Sequence, residues 1–227
     1  VTQVNKFNDS IHLTMENIDY PAKIKNSALT FIRHGQTDSN LGGIWQGHID
    51  NPLNKTGVTE ARLLNNLFRD YDLNISSPYK RAHQTLSLII NDDIQTSNEL
   101  TEMNLGKWEG LTTTEIMKKY QEQFIEALFL NHKSKYGIDG ESIYEAGARV
   151  EKLINKSENN KILMASHGGT IKSAVTKLIQ SPESNAASAF TIPNNLGVSC
   201  LVPKDNKYFL WSYNVGKIGY ENISYNK

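Results

Sequence analysis

Arg33-His34-Gly35 ends an apolar run that begins at Leu29, and it opens a polar loop, Gln36-Thr37-Asp38-Ser39-Asn40. A histidine at the end of a buried strand is either a satisfied structural imidazole or a reactive one, and its neighbours point to the second. Arg33 sets a permanent cation beside it, which an apolar core admits only with an anion to bind. Gly35 leaves room for another molecule to approach the backbone, while Gln36, Thr37, Ser39 and Asn40 supply short hydrogen-bonding groups. His167 stands in the same context, after the apolar run Lys161 to Ser166 and before Gly168-Gly169. Arg81 and Glu102 follow two further strand-like stretches, Leu73 to Ser76 and Ile94 to Thr96.

If those strand ends meet, two arginines, two histidines, a helix N-terminus and one carboxylate form an anion pocket with a proton donor in it. Guanidinium forks and free N–H groups at helix starts match phosphate. A neutral imidazole is a nucleophile, and Arg33 and Arg81 disfavour protonating it, so His34 can attack phosphorus and form a phosphohistidine. Glu102 is the candidate acid for the leaving oxygen and then the base that activates water. Arg33, Arg81 and His167 would stabilise charge on the equatorial oxygens. This chemistry calls for no metal ion and no other cofactor.

The elements that must bring these groups together can be read from periodicity and punctuation. Asn54 is a helix N-cap ahead of an apolar stripe at Val58, Ala61, Leu64, Leu67 and Phe68. Ser77 and Pro78 read as N-cap and first residue of a helix carrying Tyr79, Ala82, Leu86 and Ile89, which puts Arg81 in its first turn. Thr112 to Glu115 and Ser142 to Glu145 are capping boxes, and the second opens a stripe of Ile143, Ala146, Gly147, Val150 and Ile154. Leu196 to Val202 and Tyr208 to Tyr213 flank Lys204-Asp205-Asn206, an antiparallel hairpin in expectation. Strands alternating with helices imply a mostly parallel sheet covered on both faces, in which loops after different strands converge on one crevice.

Composition narrows the partners. Lys plus Arg and Asp plus Glu both total 24, so the 227-residue chain has zero formal charge and no global field for nucleic acid or anionic lipid. Its 38% hydrophobic content suits one large domain. A single cysteine, Cys200, excludes an intrachain disulfide and fits a reducing cytoplasm. No stretch approaches a membrane span, and residues 1–27, an N-terminal arm in which Pro21 ends any regular element, lack the apolar core of a signal peptide. The expectation is a catalytic domain over 28–227, acting on a small phosphorylated metabolite, with no nucleic-acid or membrane partner. Neither G-x-G-x-x-G after the first strand nor a P-loop is present, which removes the usual nucleotide-binding domains.

Five ordered blocks carry a resemblance. Arg33-His34-Gly35-Gln36-Thr37 with Asn40, Gln46-Gly47 through Pro52-Leu53, Ser76 through Ala82 with Gln84-Thr85, Glu102 with Gly106 to Gly110, and Ser166-His167-Gly168-Gly169 follow one another over residues 29 to about 200, with Gly140-Glu141-Ser142 ahead of the last. In these the chain resembles the histidine phosphatase superfamily, in its branch of phosphoglycerate-mutase-like phosphatases. The resemblance implies an α/β fold, a three-layer αβα sandwich with a mostly parallel mixed sheet. It implies His34 as the phosphorylated nucleophile, Glu102 as proton donor, and Arg33, Arg81 and His167 completing the phosphate pocket, assisted by Asn40 and the Gly168 backbone. Thr37, Gln46 and Gly47 join them as candidate substrate or phosphate contacts. Mutases of the family carry a paired arginine after the acid, whereas residues 111–140 here contain none, which favours hydrolysis over phosphoryl transfer. A silent phospholigand-binding protein would keep the arginines and lose the nucleophile or the acid, and neither is lost. Residues 111–140, with Tyr120, Phe124, Phe129 and Tyr136, are the candidate substrate cap.

Overall fold

The computed structural model describes residues 29–65, 67–157, 161–180, 190–204 and 207–216. The expected arm over 1–27 lies outside them, as do Asp205 and Asn206 of the expected turn. In chain order the elements are β1 (Leu29–Arg33), α1 (Asp38–Leu41), α2 (Lys55–Leu63), β2 (Leu73–Ser76), α3 (Lys80–Ile89), β3 (Gln95–Thr96), α4 (Thr113–Ile125), α5 (Ile143–Lys156), β4 (Ile162–Ser166), α6 (Gly168–Leu178), β5 (Val198–Lys204) and β6 (Lys207–Val215).

The six strands form one mixed sheet in the order β3-β2-β4-β1-β5-β6. The first four of these run parallel; β5 is antiparallel to β1 and pairs with β6 as the expected hairpin. β1 and β4 read as near-continuous apolar runs because both of their faces are covered. On one face Phe31, Ile162 and Met164 pack with Val150 and Ile154 of α5 and Ile171 and Val175 of α6. On the other, Ile32, Leu163 and Ala165 pack with Ala61, Leu64 and Phe68 and with Leu86 and Ile89 of α3. Helix, sheet and helix make the expected three-layer α/β sandwich. Each of these aliphatic side chains, once fully buried, contributes about 1.5–3 kcal/mol of hydrophobic stabilisation. Thr30, a polar residue inside β1, accepts a hydrogen bond from the Tyr71 hydroxyl at 2.9 Å.

Both capping boxes form, at Thr112 with Glu115 and at Ser142 with Glu145, and Asn54 caps α2 through Gly57 N–H. One boundary differs. α3 begins at Lys80 rather than Pro78, its N-cap residue Tyr79 makes no side-chain cap, and Asp50 Oδ1 accepts from Lys80 N–H at 2.7 Å instead. Ser77 Oγ accepts from Tyr79 N–H at 3.3 Å, just ahead of the helix. A third core cluster, built around Met103, Trp108, Ile116, Phe124 and Tyr136, lies beneath α4.

The loop after β1 rests on the start of α2. Gly57 is so close to that loop that an added Cβ would stand 2.3 Å from Gln36 O and 2.7 Å from Gln36 N. Intrinsic helix propensity favours alanine over glycine by about 1 kcal/mol, but backbone atoms cannot step aside as a side chain does. Gly57→Ala is therefore expected to lower stability by about 1–3 kcal/mol, read from urea unfolding; a stabilised variant would mean that the loop is free to move away.

Candidate active site

β1 and β4 lie side by side in register, with Arg33 opposite Ser166, and β2 flanks β4 with Ser76 opposite Ala165. The residues that leave these strands, His34, His167 and Ser77, thus emerge together at the carboxyl edge of the sheet. They meet a crevice of about 290 Å³ whose walls include Arg33, His34, Asn40, Arg81, Glu102 and Gly168. Gln46 and Gly47 also line it. Eight of the ten sequence-predicted site residues line this wall, from different elements, and the other two, Thr37 and His167, are not part of it.

His34 is 2% exposed, and its Nδ1 lies 2.7 Å from Gly35 O. A carbonyl oxygen only accepts, so Nδ1 carries the proton and the neutral ring keeps its lone pair on Nε2. Burial first, then the charges of Arg33 and Arg81, holds the imidazole well below its ordinary pKa, against the opposing pull of the Gly35 hydrogen bond. The loop is braced on three sides: Gly35 N–H donates to Thr85 Oγ1 at 2.9 Å, and Asn195 Nδ2 donates to His34 O at 3.0 Å and to Asn40 Oδ1 at 3.1 Å.

Arg81 is wholly buried. Its Nη1 donates to Ile49 O at 2.6 Å, its Nη2 to Gly47 O at 2.9 Å and its Nε to His167 Nδ1 at 3.0 Å. Arginine has no acceptor, so His167 must receive that bond on its lone pair, and its Nε2–H then donates to Ser77 Oγ at 2.8 Å. His167 was expected to face phosphate oxygens; it is instead committed on both nitrogens and aims the Arg81 guanidinium. Its pKa too is held well below the ordinary value, by burial first and then by Arg81.

Arg33 donates from Nη1 to Pro193 O at 2.5 Å, while its buried Nε has no partner. Burial lowers its pKa and Glu102 opposes that. Glu102 Oε1 accepts from Met103 N at 2.9 Å and from Thr170 N at 3.0 Å, and Oε2 accepts from Gly169 N at 3.3 Å, so the carboxylate sits on the first turn of α6. Gly169 makes this approach possible, since a Cβ there would stand 2.8 Å from Glu102 Oε1. Thr37 and Asn40 form a capping box around α1, in which Thr37 N and Oγ1 both donate to Asn40 Oδ1. That leaves the Asn40 Nδ2 hydrogens as the donor group available to the crevice and gives Thr37 a positioning place. Gln46, 7% exposed, has an unpartnered Oε1. Of the cap aromatics only Tyr136 reaches the wall, beside Trp45 and Thr113; Phe124 is core and Phe129 is exposed.

Three supporting residues had no sequence signal beyond membership in a matching block or an apolar stripe's edge. Glu109 Oε1 accepts from His48 N at 3.0 Å and packs under Gly47, whose φ of +51° and lack of Cβ make room for it. It therefore holds the turn whose carbonyls fix Arg81. Arg149 donates to Glu141 Oε1 at 2.8 Å and to Thr101 O at 2.8 Å, bracing the segment just before Glu102. Asn195, far along the chain, closes the His34 loop. Among the described residues no three His, Cys, Asp or Glu side chains gather to hold a metal ion, and no helix is long and apolar enough to cross a membrane.

Comparison with known proteins agrees with this geometry. The sequence profile of the histidine phosphatase superfamily (branch 1) matches residues 29–216. The chain is 30% identical over 163 residues to the adenosylcobalamin/alpha-ribazole phosphatase of Escherichia coli (strain K12), covering 68% of this chain and 80% of that one. It is also 30% identical over 172 residues to the 2,3-bisphosphoglycerate-dependent phosphoglycerate mutase of Rhizobium etli (strain CIAT 652), covering 67% and 80%. Among solved structures, the mycobacterial glucosyl-3-phosphoglycerate phosphatase complexed with VO3 superposes with a TM-score of 0.76 at 25% identity, over 84% of this chain and all of that one (100%).

The two buried imidazoles tie stability to pH. Each has a folded pKa below its unfolded value near 6.5, so below that pH the unfolded chain binds protons that the folded chain refuses, and stability falls as pH falls. Each contributes a slope of about 1.4 kcal/mol per pH unit in that window. His167→Gln is expected to flatten the dependence of the urea midpoint between about pH 5 and 6.5 by roughly one proton; an unchanged slope would mean that His167 is protonated in the fold.

Proposed function

The chain belongs to branch 1 of the histidine phosphatase superfamily, and from that premise we propose that it is a metal-independent phosphatase that hydrolyses small phosphomonoesters through a phosphohistidine on His34. Phosphatases among its relatives support a hydrolase. The observation that carries the finer reading is the His34 Nδ1 to Gly35 O bond, which leaves the Nε2 lone pair as the reactive atom in a crevice where Arg33 Nε lacks a partner.

In the proposed cycle, Nε2 attacks phosphorus while protonated Glu102 gives its proton to the leaving oxygen, so the P–O bond breaks and the free alcohol departs. The Glu102 carboxylate then takes a proton from water, whose oxygen attacks the phosphohistidine. The N–P bond breaks, phosphate leaves, and His34 is neutral again with Glu102 protonated. Arg33 Nε, the second hydrogens of the Arg81 Nη atoms, Asn40 Nδ2 and the Gly168 N–H at the start of α6 are the donors proposed for the phosphoryl oxygens. His167 acts through Arg81. Thr37 acts through Asn40, Gly47 acts through its carbonyl on Arg81, and Gln46, which lines the crevice, is a further substrate contact. A lone cysteine, half-buried against Thr30, fits the cytoplasmic setting inferred above. Phosphoryl transfer between metabolites, as the Rhizobium relative's name describes, is disfavoured because residues 111–140 contain no arginine.

Two measurements test this. Phosphate release from a panel of phosphomonoesters should persist with EDTA present and fall on the order of 10³-fold or more in His34→Ala, and the trapped intermediate should be acid-labile and base-stable. Activity that survives the substitution or vanishes with chelation would overturn the mechanism. Glu102→Gln should lower kcat/KM for alkyl phosphates about 10²–10⁴-fold and for p-nitrophenyl phosphate much less, because nitrophenolate leaves without a proton and kcat/KM does not include the later attack of water; equal losses in kcat/KM would remove Glu102 as the acid.

A further inference from the structure

Tyr136 belongs to the crevice by position, yet nothing in the cycle above uses it. It is 4% exposed and lines the crevice beside Glu102 and Leu105. Its ring packs on Trp108 and Trp45, at 5.2 Å and 6.4 Å between centroids. Its backbone is locked to the segment that follows Glu102. Tyr136 O accepts from Gly140 N–H at 2.9 Å, Gly137 O accepts from Lys107 N–H at 3.1 Å, and Asn104 O accepts from Glu141 N–H at 2.7 Å. The two turns fit so closely that a Cβ at Gly137 would run into Leu105 O. Tyr136 and Glu102 are thus carried on one unit, although they lie far apart in the chain.

The hydroxyl is the atom without an assignment. It makes no hydrogen bond with any described residue and, unlike the buried Trp108 Nε1, it is not cut off from solvent. Burial first, and then the charge of Glu102, raises its pKa, so it stays a neutral phenol that both donates and accepts. Glu102 Oε1 is engaged by Met103 N and Thr170 N, whereas Oε2 has one long bond, from Gly169 N at 3.3 Å. The phenol and the carboxylate therefore line the same space without bonding to each other. Few groups compete with them on that side, because Ile44, Trp45, Leu105 and Ile192 are apolar there and Thr113 Oγ1 already accepts from Trp45 Nε1 at 2.9 Å.

We propose that Tyr136 holds the attacking water in the second half of the cycle and so favours water over an alcohol as the phosphoryl acceptor. The proposal rests on the phosphohistidine reading above, in which Glu102 is a carboxylate at that stage. A water entering opposite His34 Nε2 gives one hydrogen to Glu102 and hydrogen-bonds through the other to Tyr136 Oη, which leaves an oxygen lone pair directed at phosphorus. The O–P bond forms, the N–P bond breaks with its electron pair returning to Nε2, and the second hydrogen stays on the departing phosphate. An alcohol has a single hydroxyl hydrogen. Once that is given to Glu102 nothing remains for Tyr136, so the phenol oxygen separates the two acceptors by one hydrogen bond, about three- to tenfold.

The fate of the phosphohistidine, rather than its rate of formation, tests this. With p-nitrophenyl phosphate in buffer containing methanol, nitrophenol counts every phosphoenzyme formed, inorganic phosphate counts capture by water, and methyl phosphate counts capture by methanol. Tyr136→Phe, which keeps the ring against Trp45 and Trp108, should raise the ratio of methyl phosphate to inorganic phosphate about three- to tenfold, whichever half of the cycle limits turnover. Tyr136→Leu should raise it as well and guards against a folding defect of the phenylalanine variant. An unchanged ratio overturns the inference. So does a rise in Tyr136→Phe confined to a bulkier alcohol such as 1-propanol, which would mean that the wall has opened, and so does loss of nitrophenol release in both variants, which would place Tyr136 outside the water step. A parent chain that releases nitrophenol without an acid-labile, base-stable adduct ends the phosphohistidine reading and this inference with it, whereas an intact adduct in a variant with the parental ratio ends this inference alone.

Discussion

The parallel pairing of β1 with β4 is the constraint on which the crevice depends. With Arg33 opposite Ser166, the two histidine-bearing loops leave the sheet as neighbours, and a shift of one residue would turn every side chain of one strand to the opposite face. The apolar residues covering both faces set that register, since Phe31, Met164 and Leu163 each have a helix to meet on their own side. Core packing and the geometry of the crevice are in this way one specification. The helices that bury the sheet also deliver Arg81 at the start of α3 and the Gly168 N–H at the start of α6.

A second theme is the treatment of buried polar atoms. Each imidazole is assigned one tautomer by a partner that cannot change role: a carbonyl for His34, a guanidinium for His167. The supporting atoms are satisfied in the same strict way, with Thr85 Oγ1 donating to Arg81 O while accepting from Gly35 N–H. Against that background the unpartnered atoms stand out. Arg33 Nε and Gln46 Oε1 are a donor and an acceptor without partners, on two residues that line the same crevice.

Much of this was legible in the residues. The strands ending in His34 and His167, the two capping boxes and the stripe from Ile143 to Ile154 all depend on local periodicity and cap chemistry, which a sequence displays. The helix start at Lys80 was not, because its cap, Asp50, comes from a loop thirty positions earlier in the chain. The orientation of His167 was hidden for the same reason, being decided by Ser77 and Arg81 across the sheet edge. Glu109, Arg149 and Asn195 are single polar residues whose partners are long-range, and a lone polar residue has no period to give it away. Gln46 was visible as a loop residue, but only packing could reveal that one of its atoms lacks a partner.

Asn195 ties the earliest part of the site to one of the last. The His34 loop begins five residues into the described fold, yet the amide that joins His34 O to Asn40 lies about 160 positions later, and β1 itself needs β4 and β5 on its two edges. Contacts of such sequence separation form late, after loop closure has been overcome. During synthesis His34 therefore leaves the ribosome long before its scaffold exists. The loop gains its last brace only after Asn195 has emerged, so a partly made chain carries His34 without the partners that hold it in place.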